Sequence, residues 1–126
     1  MPLARTKPAA VSEAATLTRA TVRAAQKLGL SNRSLAGVLG LSEATISRMT
    51  RDAFMIARGE KAFELAVLFV RLFRSLDAIV GGDEKVAKTW LNSKNLALHD
   101  APINLIKTVG GLVNVVQYLD ARRARI

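Results

Sequence analysis

The chain has 126 residues, half of them hydrophobic, with a formal charge of +9 and an isoelectric point near 10.9. That length holds one domain or two very small ones, and the apolar content is enough for a real core. With no cysteine and a single histidine, His99, a disulfide framework, a cysteine zinc site and a histidine-rich metal centre are all excluded, and no cofactor is expected.

The basic balance points to nucleic acid or another polyanion. Its distribution is uneven. Residues 1–58 hold nine Lys/Arg against three Asp/Glu, residues 59–120 hold seven of each, and the last six residues add three arginines. No apolar h-region follows the start, so the expected address is the cytoplasm.

Residues 1–10, with two prolines and basic side chains, read as a mobile basic arm able to grip a phosphate backbone. Ser12 and Glu13 open a helix running to Leu28, with Val11, Ala15, Leu17, Val22, Ala25 and Leu28 as its apolar face. Gly29 ends it. Arg19, Arg23 and Lys27 form a stripe along this helix that reads as a solvated face.

Ser31 to Arg51, SNRSLAGVLGLSEATISRMTR, reads as two short helices joined by a tight turn. Ser31 caps the first, whose inward face is Leu35, Ala36 and Leu39. Gly40 breaks it as a residue free to take positive φ. Ser42 caps the second, which carries Ile46 and Met49 inward. A small residue at the crossing (Ala36), a glycine four residues later and a branched residue six beyond that (Ile46) form the spacing of a helix-turn-helix. Its DNA-facing residues would be Ser31, Asn32 and Arg33, then Ser42, Glu43, Ala44, Thr45, Ser47, Arg48 and Arg51 on the outer face of the second helix. A helical hairpin with no ligand fits the same apolar positions; the surrounding positive charge favours DNA.

The connector DAFMIARG follows, anchored by Phe54 and Ile56, with Gly59 as a hinge. From Glu60 to Val80 the chain is apolar on nearly every side, so it must be covered on nearly every side. Glu64, Arg71, Arg74 and Asp77 argue against a membrane span. A helix buried partly by a second copy fits better, with Phe63, Val67, Val70 and Phe73 as the dimerisation residues. Gly81-Gly82 ends it. Asp83 and Glu84 start a helix with Val86, Ala87, Trp90 and Leu91 inward. A loop spans residues 93–101, and Pro102 suits the first turn of a short helix, PINLIKT. Gly110-Gly111 breaks that helix. A last helix has Leu112, Val115, Val116 and Leu119 on one face, and Arg122, Arg123, Arg125 and Ile126 follow it as a mobile cationic tail.

No strand pattern appears, so the fold class is all-α: an arm at 1–10, a helix-turn-helix domain at 11–58 and a helical domain at 59–126. Nothing supports an enzyme. No glycine-rich phosphate loop follows a strand, no nucleophile elbow appears, and His99-Asp100 is a lone dipeptide in a loop. Trp90 and Tyr118 read as core residues.

From about Lys85 onward the chain resembles the toxin-binding domain of the Xre/MbcA/ParS antitoxin family. The resemblance rests on AKTWLNSKNLAL at 87–98, then Pro102-Ile103-Asn104-Leu105-Ile106, Thr108, Gly111, Val115 and Leu119. An Xre/Cro-like helix-turn-helix ahead of it is the family's arrangement. His99-Asp100 stands where the pattern carries small or glycine residues, and an Arg-rich end replaces a longer glycine-containing finish. The resemblance implies a type II antitoxin that neutralises a RES-domain, NAD-consuming toxin and represses its own operon by binding operator DNA as a homodimer. Toxin-facing residues would be Trp90, Asn95, Leu98, Arg122, Arg123, Arg125 and Ile126. Two other readings stay open: a stand-alone dimeric helix-turn-helix repressor, and an antitoxin acting only through protein contact.

Overall fold

The computed structural model describes residues 8–125, and side chains from Glu13 onward. Residues 1–7 of the expected arm, and Ile126, lie outside the described residues. Seven helices follow in order: α1 (Pro8–Leu28), α2 (Asn32–Leu39), α3 (Glu43–Thr50), α4 (Lys61–Ile79), α5 (Glu84–Asn92), α6 (Pro102–Leu105) and α7 (Val109–Arg123). Among the described residues there is no strand, only an isolated bridge between Asn95 and Asp100.

α1 starts at Pro8, earlier than Ser12. Proline is well suited to a first helical turn, where its missing N–H has no partner to lose. The buried face of α1 also differs from the expected one. It runs Ala14, Thr18, Thr21, Ala25 and Leu28, while Leu17 and Val22 are half-buried. Two threonines can sit inside because Thr18 Oγ1 donates to the Ala14 carbonyl at 2.7 Å and Thr21 Oγ1 to the Leu17 carbonyl at 2.8 Å. Thr18 Oγ1 also accepts from the Ile56 N–H at 2.9 Å, tying the connector after α3 to α1. Ile56 is buried beside it, as its anchoring role requires.

α4 is the central helix. It packs against α1, α2, α5 and α7, most extensively against α7. Ala62, Leu65, Ala66, Phe69, Val70, Leu72, Ser75 and Leu76 are buried along it. Its own chain therefore covers most of it. The same core cluster includes Leu35, Leu39, Ile46 and Met49 of the helix-turn-helix and Leu91, Leu112, Val115 and Leu119 of the second half. The two halves share one core.

After α4, Gly81 and Gly82 take φ of +62° and +81°. Asp83 caps α5 by accepting from the Val86 N–H at 3.2 Å. Only Ala87 and Leu91 of α5 are buried; Val86, expected inside, is exposed because α5 meets the body along a narrow strip. Pro102 opens α6, which lasts one turn. Gly110 and Gly111 do not break a helix. They lie in the first turn of α7, which starts at Val109 because Thr108 Oγ1 accepts from the Gly111 N–H at 3.0 Å. An added Cβ on Gly111 would run into the Leu105 carbonyl, so glycine there lets α6 and α7 meet closely.

Candidate functional site

The expected helix-turn-helix is present. Ser31 Oγ accepts from the Ser34 N–H at 3.0 Å, and Ser42 Oγ from the Thr45 N–H at 3.1 Å, so both helices carry their serine caps. Gly40 adopts φ +69°, and its N–H returns to the Ala36 carbonyl. A Cβ there would meet nothing within 4 Å, so the left-handed backbone rather than crowding demands glycine. Ala36 is buried where the helices cross, and Ile46 and Met49 lock α3 onto the core.

Ser31, Asn32, Arg33, Ser42, Glu43, Ala44, Arg48 and Arg51 are exposed, and Ser47 is half-buried. Thr45, expected on the outer face, is buried. Its Oγ1 lies 2.9 Å from Ser42 Oγ and accepts from the Arg48 guanidinium at 3.1 Å. Three polar groups thus form a chain from the cap to Arg48. The Arg48 guanidinium also stands 5.9 Å from the centre of the Phe54 ring, a cation–π distance. Arg51 donates to Ser47 Oγ at 3.0 Å. Both cations of α3 are therefore held by neighbours on or beside their own helix. Thr45 orients Arg48 rather than facing outward itself.

Beside this surface, Arg19 of the α1 stripe pairs with Asp52 at 3.2 Å, and Lys27 stands 5.9 Å over the Phe73 ring. Lys27 and the core take up Phe73, which turns away from the other candidate dimerisation residues. Phe63, Val67 and Val70 instead line a groove of about 450 Å³ between α1 and α4, with Leu17, Ala20 and Arg74. Val70 is only 7% exposed within one chain, whereas Val67 is 46% exposed.

The second surface centres on Trp90. Its ring stacks on Tyr118, with centroids 6.3 Å apart and planes inclined by 15°. The Arg122 guanidinium lies 5.5 Å from the Tyr118 centroid, one helical turn along α7. Trp90, Tyr118 and Arg122 thus form a continuous stack. Arg123 reaches the other way, with a guanidinium nitrogen 3.5 Å from Ser75 Oγ on α4. Two of the three C-terminal arginines therefore rest on their own domain because α7 continues through them, and only Arg125 extends beyond. The expected loose tail is an ordered helix end.

Asn95 organises the loop between α5 and α6. Its amide oxygen accepts from the Leu98 N–H at 3.1 Å, and its carbonyl from the His99 N–H at 2.8 Å. Asp100 closes the same loop through Asn104 and the Ala101 N–H, and these bonds, Asn104's first, hold its carboxyl below the ordinary value. His99 takes φ +72°, which explains why small or glycine residues suit this position. Leu98 is half-buried in a cleft with Leu105, Gly111 and Tyr118.

Tyr118, read as core, is half-buried and packs against it. Sequence reasoning missed two side chains here. Val86 read as inward. Leu96 was passed over, although it is 85% exposed at the loop tip. The signal for Leu96 was its place between Asn95, which bonds the loop internally, and small Ala97. Among the described residues no cluster of His, Asp and Glu could hold a metal ion, and no helix is long and apolar enough to cross a membrane.

A capped helix-turn-helix sharing its core with a second helical unit that carries a half-buried aromatic–cation stack has the architecture of a DNA-binding regulator with an added domain. Residues 7–71 match the antitoxin Xre-like helix-turn-helix domain, and residues 75–125 match the antitoxin Xre/MbcA/ParS C-terminal toxin-binding domain. The chain belongs to the Xre-type antitoxin family. The two matched spans adjoin within α4. A search of curated proteins finds no match.

Proposed function

We propose that this chain neutralises a RES-domain, NAD-consuming toxin by direct binding and represses the promoter of its own operon as a homodimer, acting in the cytoplasm without catalysis. The match of residues 75–125 to a toxin-binding domain carries the reading, and the half-buried stack of Trp90 and Tyr118, capped by exposed Arg122, supports it. A toxin pocket shaped for the phosphates of NAD attracts guanidinium groups, which bind phosphate in paired, planar fashion. The end of α7 covers that pocket, with Arg122 presented from its Tyr118 platform, Arg125 extending beyond and Arg123 holding the helix end near Ser75, and Trp90 and Leu98 anchor the contact beside it. Operator binding falls to α3, where Arg48 and Arg51 are the two cations. So few charges make a weak monomer, so pairing through Val67 and Phe63 raises affinity.

The test is co-expression with a RES-domain toxin, followed by purification and measurement of NAD loss. Full-length chain should co-purify with the toxin and stop NAD consumption. A variant ending at Ala121 should keep its helical circular dichroism yet lose most protection; full neutralisation by it would refute the arginine-end mechanism.

A further inference from the structure

Residues 59–120 carry no net charge, yet two of their lysines lie against the helix-turn-helix. The Lys88 methylenes come within 3.2–3.6 Å of where a Cβ would stand on Gly29, in the turn just ahead of the Ser31 cap. The Lys107 methylenes, from the turn between α6 and α7, come within 3.7–4.0 Å of the same point on Gly37 in α2. Gly37 and Arg33 are i, i+4 neighbours, so they share one face of α2. Both Arg33 and Lys107 are exposed, and neither has an ion-pair partner among the described residues.

Docked helix-turn-helix domains lay the first helix of the motif across the phosphate backbone while the second enters the groove. We infer that Lys107, carried by the second half of the chain, is a DNA phosphate contact that extends the backbone grip of Arg33 along α2. Its stem lies on the bare backbone of Gly37, leaving the ammonium free beyond the helix surface. The DNA-binding surface then crosses from one half of the molecule to the other. This rests on the reading of α2 and α3 as the DNA-binding motif.

The test is the salt dependence of binding to a labelled duplex carrying the region upstream of the chain's own gene. Each phosphate contact adds about 0.9 to the slope of log affinity against log salt. Lys107→Gln should lower that slope by about 0.9 per bound protomer, with an unchanged melting temperature. Lys107→Arg should retain the wild-type slope. Lys94→Gln, in the α5–α6 loop, removes the same charge and should leave the slope unchanged. Equal slopes for wild type and Lys107→Gln overturn the inference alone, as does an equal loss in Lys94→Gln. Absence of any salt-dependent binding by the wild type overturns both the inference and the motif reading beneath it.

Discussion

Ser75 of α4, wholly buried, donates a 2.7 Å hydrogen bond to Asp120 of α7, and that bond joins the helix-turn-helix scaffold to the last helix. The other carboxylate oxygen of Asp120 has no aligned hydrogen-bond donor, but Arg71 meets it as an ion pair at 2.5 Å. Ser75→Ala deletes a bond to a charged acceptor and should cost about 1.5–3 kcal/mol. Asp120→Asn keeps an acceptor for Ser75 and loses the attraction to an exposed arginine, so it should cost less, on the order of 1 kcal/mol or below. Urea unfolding of the two variants ranks them. The opposite order would place the stabilisation in the ion pair.

Adjacent glycines at the start of α7 should respond in opposite directions. Gly110 has open space where a Cβ would go, and alanine there should be neutral or stabilise by about 0.4–1 kcal/mol. Gly111→Ala drives a methyl into the Leu105 carbonyl and should cost about 1–3 kcal/mol or more. Thermal melts compare the pair directly.

On α3, Arg48→Ala should weaken operator binding by about 1–3 kcal/mol if Arg48 reads a base, and the loss should depend on sequence. If it contacts phosphate, the loss should be uniform across duplexes, with a salt slope lower by about 1. Toxin binding should be unchanged in either case. Unaltered operator affinity at matched salt would argue against α3 as the recognition helix.

Val67→Asp places a charge on the exposed rim of the α1–α4 groove without disturbing buried Val70. The variant should melt like wild type but elute as a monomer in size-exclusion chromatography with light scattering. Its operator affinity should fall with the lost pairing. A dimer of wild-type strength would move the interface elsewhere.

The legible features were those a residue makes with its own neighbours. Ser31, Ser42 and Asp83 cap the helices they precede, Pro102 opens α6, and Gly40 turns left-handed as its place in the motif requires. The hidden features depend on what arrives from a distance. Thr45 is buried under Arg48 and beside the cap, so an outer-face position on the helical wheel misled. Arg122 and Arg123 looked like a tail until Tyr118 and Ser75 came within reach. Gly110-Gly111 looked like a break because glycine pairs often are one, while the deciding residue was the Thr108 cap. On the candidate surfaces, the basic and aromatic residues could be named in advance; which of them stack together could not, because α5 and α7 meet only in three dimensions.

A single core that includes both Leu35 and Leu119 ties the stability of the helix-turn-helix to that of the second half. A protease or chaperone that unravels α7 strips Leu112, Val115 and Leu119 from α4, the helix against which α1 and α2, the supports of α3, are packed. Under the proposed function, DNA grip and toxin restraint are then lost together.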